Sequence, residues 1–410
     1  MQPDRILALR EWIAETSMAG ASETELVKGL CERLVDEGVP LSRVTTGLDT
    51  LHPVLEGRRF IWHRATGKAV QSEYTREQAA ANTPKWSQSP FEYLWRTKET
   101  MLRRRLEGAN ALDEFDILPE LAAEGATDYL VLRHPLGGRA AIGPADAVYS
   151  SWASDRPGGF ADEDIAALDS IARALAITIV AISSSRIAET LVETYLGRDA
   201  GRRVLRGAIE RGVAQPIRTA VWFSDLRGFT RIADTIEPAQ LVPFLNDYAG
   251  EIVAAIHAQK GQVLKFIGDG ILAIFAIGER TAEAACTAAL DAALDAFARV
   301  ATLNRARAAR HLPVTRPYVG LSIGEAFYGN IGSVDRLDFT VVGPAVNEAS
   351  RIVSMCRSLD QDVLASQGFA AAAGAAASRL VSVGRYALRG IGQPQELFTI
   401  DPGAATPLVP

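Results

Sequence analysis

Two acids stand where apolar runs end. In "AVWFSDLRGFTRIAD" (220–234) four strand-like residues, Ala220 to Phe223, lead through Ser224 to Asp225. Leu226, Arg227, Gly228, Phe229 and Thr230 follow. In "QVLKFIGDGILAIF" two apolar runs are joined by Gly268, Asp269 and Gly270. Each acid alone has an ordinary reading, because Asp and Gly form turns and Asp-Gly between strands marks a hairpin. As a pair they have a second reading. Two carboxylates at short range repel unless a cation shares them. Mg²⁺ takes one or two carboxylates plus substrate phosphate. A pair of ions about 3.5–4 Å apart activates an attacking oxygen and holds the leaving one. The backbone amides that follow Asp225 open the next segment and can face phosphate oxygens. A third piece is "DFTVVGPAVNEASRI". Pro344 suits a first helical turn, and Asn347 and Arg351 then share one face. Arg offers a planar fork to a phosphoryl oxygen, and Asn a neutral amide to a ribose. Taken alone, these two are a surface pair on an amphipathic helix.

The elements that hold these residues follow from the pattern after Arg218. Strands are expected at "TAVWFSD", "GQVLKFIG", "ILAIFAIG", "RPYVGLSIG" and "LDFTVVG". Helices are expected at "PAQLVPFLNDYAGEIVAAIHAQK", "RTAEAACTAALDAALDAFARVATLNRARAAR" and "PAVNEASRIVSMC". The order β-α-β-β-α-β-β-α gives an α/β (α+β) sandwich with helices on a mixed sheet. The first and second strands of its βαβ unit are expected side by side, which brings Asp225 and Asp269 to one sheet edge. "FAAAAGAAAS" reads as a surface helix and "DPGAATPLVP" as a loose tail.

The first half has another texture. "ASETELVKGLCERLVDEG" is a helix with a Ser22/Glu25 capping box and Gly38 as its stop. Strands are expected at "SRVTTGL", "RRFIWH", "DYLVLRH" and "RAAIGPADAVYSSW", and a helix at "FDILPELAAEGA". "FADEDIAALDSIARALAITIVAISSS" opens with an acidic turn suited to the helix dipole. It continues into "RIAETLVETYLGRDAGRRVLRG", where Ile187, Leu191, Tyr195 and Leu196 form a narrow stripe, read as a parallel dimer seam, the alternative being a helix packed on its own sensor domain. Gly197 and Gly201 are expected to interrupt it. His52, His63, Trp62 and Trp95 are candidates to line a small-molecule pocket, or else belong to the core.

The totals bound the rest. A chain of 410 residues calls for two or three domains. With 48% hydrophobic and 22% charged residues it is globular. A net charge of −6 argues against a general nucleic-acid partner. Three scattered cysteines suit a reducing compartment. The most apolar run, "IARALAITIVAI", has twelve residues and contains Arg173, too short to span a bilayer. The expectation is a cytoplasmic protein with no transmembrane segment.

Residues 1–185, most clearly "DRPGGFADEDIAALDSIARALAITI", resemble a GAF-like sensory domain, which implies a small-molecule ligand. "FSDLRGFT", "KFIGDG" and "VGPAVNEASRI", in this order, resemble the class III nucleotidyl cyclases over residues 216–402. The resemblance implies a ferredoxin-like βαββαβ catalytic domain after a helical dimerising linker at 186–215, with a tail at 403–410. It implies a head-to-tail homodimer that turns a nucleoside triphosphate into a 3′,5′-cyclic nucleotide and pyrophosphate. Carried over by position, Asp225, Asp269 and the Leu226 carbonyl would bind two Mg²⁺ or Mn²⁺ ions per site. Gly228, Phe229 and Thr230 would face the phosphates. Asn347 would position the ribose, and Arg351 would stabilise charge on the α-phosphate. Arg389, in "LRGIG", stands where the family has a triphosphate-binding lysine. Lys265 falls on the adenine-reading position and favours ATP. Its expected aspartate partner is replaced by Thr340, as in the subclass described as bicarbonate-responsive. The rivals are a weak or inactive nucleotide-binding module, a cyclase that also uses GTP, and a diguanylate cyclase. The last would need a GG[DE]EF-type hairpin, and "IGDGIL" is not one.

Overall fold

The computed structural model describes residues 1–82, 86–108, 114–137, 143, 145–278, 280–390 and 392–403. The chain forms two compact units, Met1–Leu191 and Val192–Pro410.

The first unit is built from α1 (Pro3–Met18), α2 (Glu23–Asp36), β1 (Leu41–Asp49), β2 (Leu55–His63), β3 (Lys68–Thr75), α3 (Arg76–Ala81), α4 (Pro90–Thr97), β4 (Met101–Arg105), α5 (Ile117–Ala123), β5 (Asp128–Pro135) and β6 (Ala147–Ser154), and ends in α6 (Asp162–Leu196). Ser22 and Glu25 close the expected capping box on α2: the Glu25 amide donates to Ser22 Oγ at 3.3 Å and the Ser22 amide to Glu25 Oε2 at 2.9 Å. The strands form one antiparallel sheet, β3-β2-β1-β6-β5-β4. One face packs on α1, α2 and α6 through Ile13, Leu26, Leu30, Trp152, Ile171 and Leu175. The other face buries Leu94, Leu118, Leu121 and Val131.

Several expectations change here. The strand expected at 139–152 begins only at Ala147, and residues 139–142 and Pro144 lie outside the described residues. Trp62 is a core residue, and Trp95 is an exposed neighbour of Lys98. His52 caps a turn, its Nδ1 accepting from the amides of Val54 and Leu55. These three do not line one pocket. The helix α6 is 35 residues long, and by length and composition alone it could cross a membrane. Its Leu168, Ile171, Leu175 and Ile179 nevertheless form the core of the unit. Ile187 is buried while Tyr195 is exposed, so the stripe drawn through them is not a single outward face. Gly197 ends the helix, with φ at +83°, whereas Gly201 lies inside the next one.

The second unit contains α7 (Arg198–Leu205), β7 (Ala214–Leu226), α8 (Phe229–Thr235), α9 (Pro238–Ala258), β8 (Gln262–Ile267), β9 (Gly270–Ile277), α10 (Ala282–Ala309), β10 (Pro317–Gly332), β11 (Leu337–Val342), α11 (Pro344–Leu359), β12 (Val363–Ser366), α12 (Gln367–Ala372), β13 (Leu380–Tyr386) and β14 (Gln395–Ile400). The sheet order is β13-β14-β12-β10-β7-β9-β8, with β11 paired to β10. The central β10-β7-β9-β8 block is antiparallel throughout, and β12 joins β10 in parallel, so the sheet is mixed. This is a ferredoxin-like βαββαβ core extended by a mixed edge. One expectation is corrected by the pairing. The second strand, β8, does not lie beside β7; the third strand, β9, inserts between them. The hairpin geometry requires this, because β9 folds back along β8 onto the free edge of β7.

The strand β7 reads as a continuous apolar run because both its faces are covered. Ala220 and Trp222 pack with Phe244, Tyr248 and Ala293 from α9 and α10. Val221 points the other way, into Ala345 and Ala349 of α11. The Ala-rich segment is not a surface helix. Phe369, Ala370, Ala373 and Ala376 are buried there, across α12 and a 3-10 turn, Gly374–Arg379. Asp401 to Gly403 follow the last strand, and 404–410 lie outside the described residues.

Candidate active site

Register brings the two acids together. Ser224 of β7 pairs with Ile271 of β9, which sets Asp225 at the end of β7 beside the turn that carries Asp269. The Leu226 amide donates to Asp269 Oδ2 at 3.0 Å and also contacts the Asp225 carboxylate. Asp225 is pushed up to about 7, first by desolvation of its carboxylate and then by its hydrogen bond with, and the charge of, Asp269. Two acids that share one amide and one proton form an incomplete anionic site, and the donor set fits a hard divalent cation. Among the described residues no group of three or more His, Cys, Asp or Glu side chains forms a metal cage. Two carboxylates alone would leave such a cation short of ligands.

The glycine turn follows directly. Gly228 takes φ +70°, and α8 begins at Phe229. The Ile232 amide returns to the Gly228 carbonyl at 3.2 Å, leaving the amides of Phe229 and Thr230 without intrahelical partners. Phe229 anchors the turn by stacking on Phe244, with ring centroids 6.5 Å apart. The Leu226 side chain is buried in the same core, so only its backbone is available to the site.

Asn347 and Arg351 sit on α11 as expected from Pro344, which occupies its first turn. Asn347 is exposed and Arg351 half-buried. The Arg351 guanidinium lies against the backbone of Gly390, where an added Cβ would stand 3.3 Å from Nη2 and 3.4 Å from Nη1. That contact brings Arg351 next to the loop that carries exposed Arg389. Gly390 also has φ +72°, a conformation that side chains disfavour. Among the described residues neither arginine pairs with a carboxylate. Both cations are thus uncommitted.

Lys265 and Thr340 lie on β8 and β11, elements that contact one another. Thr340 is 4% exposed, and its Oγ1 has no hydrogen-bond partner among the described residues. The Lys265 Nζ donates to Asp338 Oδ2 at 2.6 Å. Asp338 is the residue missed from the sequence. Alternation along "LDFTVV" sets it on the same strand face as Thr340, two positions earlier, and that spacing was the available signal.

Residues 214–401 match the family described as Adenylate and Guanylate cyclase catalytic domain. The chain is 32% identical over 159 residues to an adenylate cyclase of Anabaena cylindrica, covering 39% of this chain and 31% of that protein. It is also 32% identical over 211 residues to an uncharacterized protein of Mycobacterium tuberculosis, covering 50% and 38% respectively. The chain thus spans about a third of the length of these relatives. Among solved structures, the adenylyl cyclase CyaB of P. aeruginosa is 24% identical, with a TM-score of 0.43, covering 46% of this chain and 96% of that one. Over residues 214–401, then, this chain is similar to adenylate and guanylate cyclase catalytic domains.

Proposed function

We propose that this chain is a homodimeric adenylyl cyclase that converts ATP to 3′,5′-cyclic AMP and pyrophosphate. The observation that carries the reading is the acid pair, Asp225 and Asp269, sharing the Leu226 amide at the end of β7. The ribose 3′-oxygen bonds to the α-phosphorus, the bond from that phosphorus to the bridging oxygen breaks, and pyrophosphate leaves. The 3′-hydroxyl proton passes to solvent. Asp225, Asp269 and the Leu226 carbonyl would hold two Mg²⁺ or Mn²⁺ ions, which when bound acidify the 3′-hydroxyl and neutralise the triphosphate. The Phe229 and Thr230 amides, opened by Gly228, face phosphate oxygens. Asn347 orients the ribose. Arg351 stabilises charge on the α-phosphate, and Arg389 binds the outer phosphates. Lys265 and Thr340 face the base.

Each site takes its acids from one chain and Lys265, Thr340, Asn347 and Arg351 from the other. An apolar surface beside the site supports this arrangement: Phe266 and Ile267 on the hairpin are 59% and 46% exposed, and Val342 is 44% exposed. The first unit is a GAF-like sensor for a small molecule, and residues 186–215 are the transducer. All three cysteines are free, which suits a cytoplasmic enzyme.

The choice of ATP is tested at Lys265. A glutamate there would face Asp338 at ion-pair range, so Lys265→Met is the cleaner variant. It is expected to lower kcat/KM for ATP about ten- to a hundredfold, the loss of one hydrogen bond from a charged donor. An unchanged ATP-to-GTP ratio would contradict the assignment. Thr340 stands where the bicarbonate-responsive subclass has its threonine, which is the ground for bicarbonate as an effector. Activity should rise with added bicarbonate at fixed pH, with ionic strength matched by chloride; a flat titration removes bicarbonate from the account.

A further inference from the structure

We propose that Thr315 is a positioning residue of the loop after Asp225: its hydroxyl, set in place by Tyr248 and Asn304, fixes the backbone at Arg227, and with it the Leu226 carbonyl and the amides after Gly228. The inference rests on the cyclase reading of that loop and adds to it a residue 88 positions away in sequence.

Thr315 lies between α10 and β10. Its neighbours Val314 and Arg316 are exposed, yet Thr315 itself is only 8% exposed. Its amide, carbonyl and hydroxyl are all engaged. The amide donates to the Tyr248 hydroxyl oxygen at 3.0 Å. That hydroxyl donates to Asn304 Oδ1 at 2.5 Å, and Asn304 Nδ2 donates to the Thr315 carbonyl at 2.7 Å. The hydrogen bonds thus close a ring that ties α9 and α10 to the approach to β10. A fully satisfied ring of this kind holds the Thr315 backbone in one place. Its Oγ1 then donates to the Arg227 carbonyl at 2.6 Å.

That carbonyl is next to the acids. A peptide unit is planar, so the Leu226 carbonyl shares a plane with the Arg227 amide. The Arg227 amide donates to the Arg316 carbonyl at 2.9 Å, beside Thr315. The next plane holds the Arg227 carbonyl and the Gly228 amide, and the Thr315 hydroxyl sets its orientation. Gly228 follows at φ +70° and has no side chain to restrain it, so this bond fixes where the turn begins. The far side of the turn is held from the same helix. Phe229 stacks on Phe244, whose ring centroid is 4.8 Å from that of Tyr248. Arg307 braces both rings, its Cζ 5.0 and 5.6 Å from their centroids. It pairs with Asp247, and its Nε donates to the Pro313 carbonyl at 2.9 Å. Valine would fill the space of Thr315, but only a hydroxyl can hold the Arg227 carbonyl.

The experiment compares the full chain with Thr315→Val, Thr315→Ser and Tyr248→Phe. Mn²⁺ binding is followed by electron paramagnetic resonance with saturating 3′-deoxy-ATP, which has no 3′-hydroxyl to react. Turnover of ATP gives kcat and KM. Thr315→Val is expected to weaken Mn²⁺ binding about tenfold and to lower kcat by about as much, the loss typical when a group that orients a metal ligand is removed, while KM for ATP changes less. Thr315→Ser keeps the hydroxyl and should restore most of both. Tyr248→Phe withdraws the acceptor of the Thr315 amide and should weaken Mn²⁺ binding in the same direction; it decides the matter if Thr315→Val does not fold. Mn²⁺ affinity is read from the folded protein, so a merely structural role leaves it unchanged. Affinities equal to the parent's in whichever of Thr315→Val and Tyr248→Phe fold, or a Thr315→Ser chain as weak as Thr315→Val, overturn the proposal. If the parent binds Mn²⁺ with the nucleotide but forms no cyclic product from ATP or GTP, the cyclase reading fails, and the Mn²⁺ affinities still decide the role of Thr315. A parent that binds no Mn²⁺ overturns both.

Discussion

Asp225→Asn is expected to abolish cyclic nucleotide formation, and so is Asp269→Asn, while both variants keep the fold. Each acid lies at the end of β7 or in the turn beside it, and neither belongs to a hydrophobic cluster of the unit. Losing one carboxylate removes several kcal/mol of charge stabilisation, on the order of a thousandfold or more in rate. Stability should move the opposite way at Asp225. Its carboxyl has an ordinary value of 3.8 and is raised to about 7 in the folded chain. Between those values the folded state keeps a proton that the unfolded state has lost. This group therefore lowers stability as pH climbs from 3.8 towards 7, and the full cost remains above 7. Without divalent cations, Asp225→Asn should melt above the parent at pH 8 and level with it near pH 4. Adding Mg²⁺ should raise the parent's melting temperature more than the variant's. Parent and variant melting together at every pH, or either acid proving dispensable for turnover, would contradict the assignment of the pair.

A chain carrying Asp225→Ala mixed with one carrying Arg351→Ala should recover activity that neither has alone. In the proposed arrangement every site of either homodimer lacks one essential group. In the heterodimer one site combines both defects and the other combines neither. Equal random exchange makes half the dimers mixed and half of their sites whole, so about a quarter of wild-type activity returns for a symmetric two-site dimer. Crosslinking of differently tagged chains verifies that mixed dimers form. Mixed dimers with activity at the level of the separate variants would mean that each site is built within one chain.

Local signals made much of the catalytic unit legible. The continuous apolar run of β7 ending at Asp225, the Gly-Asp-Gly turn and the Pro344-led helix each depend on a few adjacent residues, and each is found where it was read. What was missed depends on pairing at a distance. The adjacency of β7 and β9 comes from a hairpin folding onto an edge, and no residue in either strand announces it. The strands β12 and β14 have four and six residues, with only two pairings between them, and carry little pattern. The Ala-rich segment looked like surface because alanine is mild in both settings; packing against α10 decided it. In the first unit, "MLRRR" buries one side chain and escaped notice as a strand. The length of α6, by contrast, was legible up to Gly197 from its three- and four-residue spacing, although Arg173 and the serines at 183–185 interrupt the apolar run. Asp338 escaped for a similar reason, since its meaning lies in a lysine on another strand.

The central claim is a specific reaction, so the most direct test is the identity of its products. Purified full-length chain is incubated with ATP, and separately with GTP, in Mg²⁺ and in Mn²⁺, and the nucleotides are resolved chromatographically and weighed by mass spectrometry. The account predicts 3′,5′-cyclic AMP and pyrophosphate in equal amounts from ATP, with ATP preferred over GTP and no product when the cation is chelated. Tight nucleotide binding with no cyclic product from either nucleotide, in either cation, would contradict it and leave a nucleotide-binding module in its place.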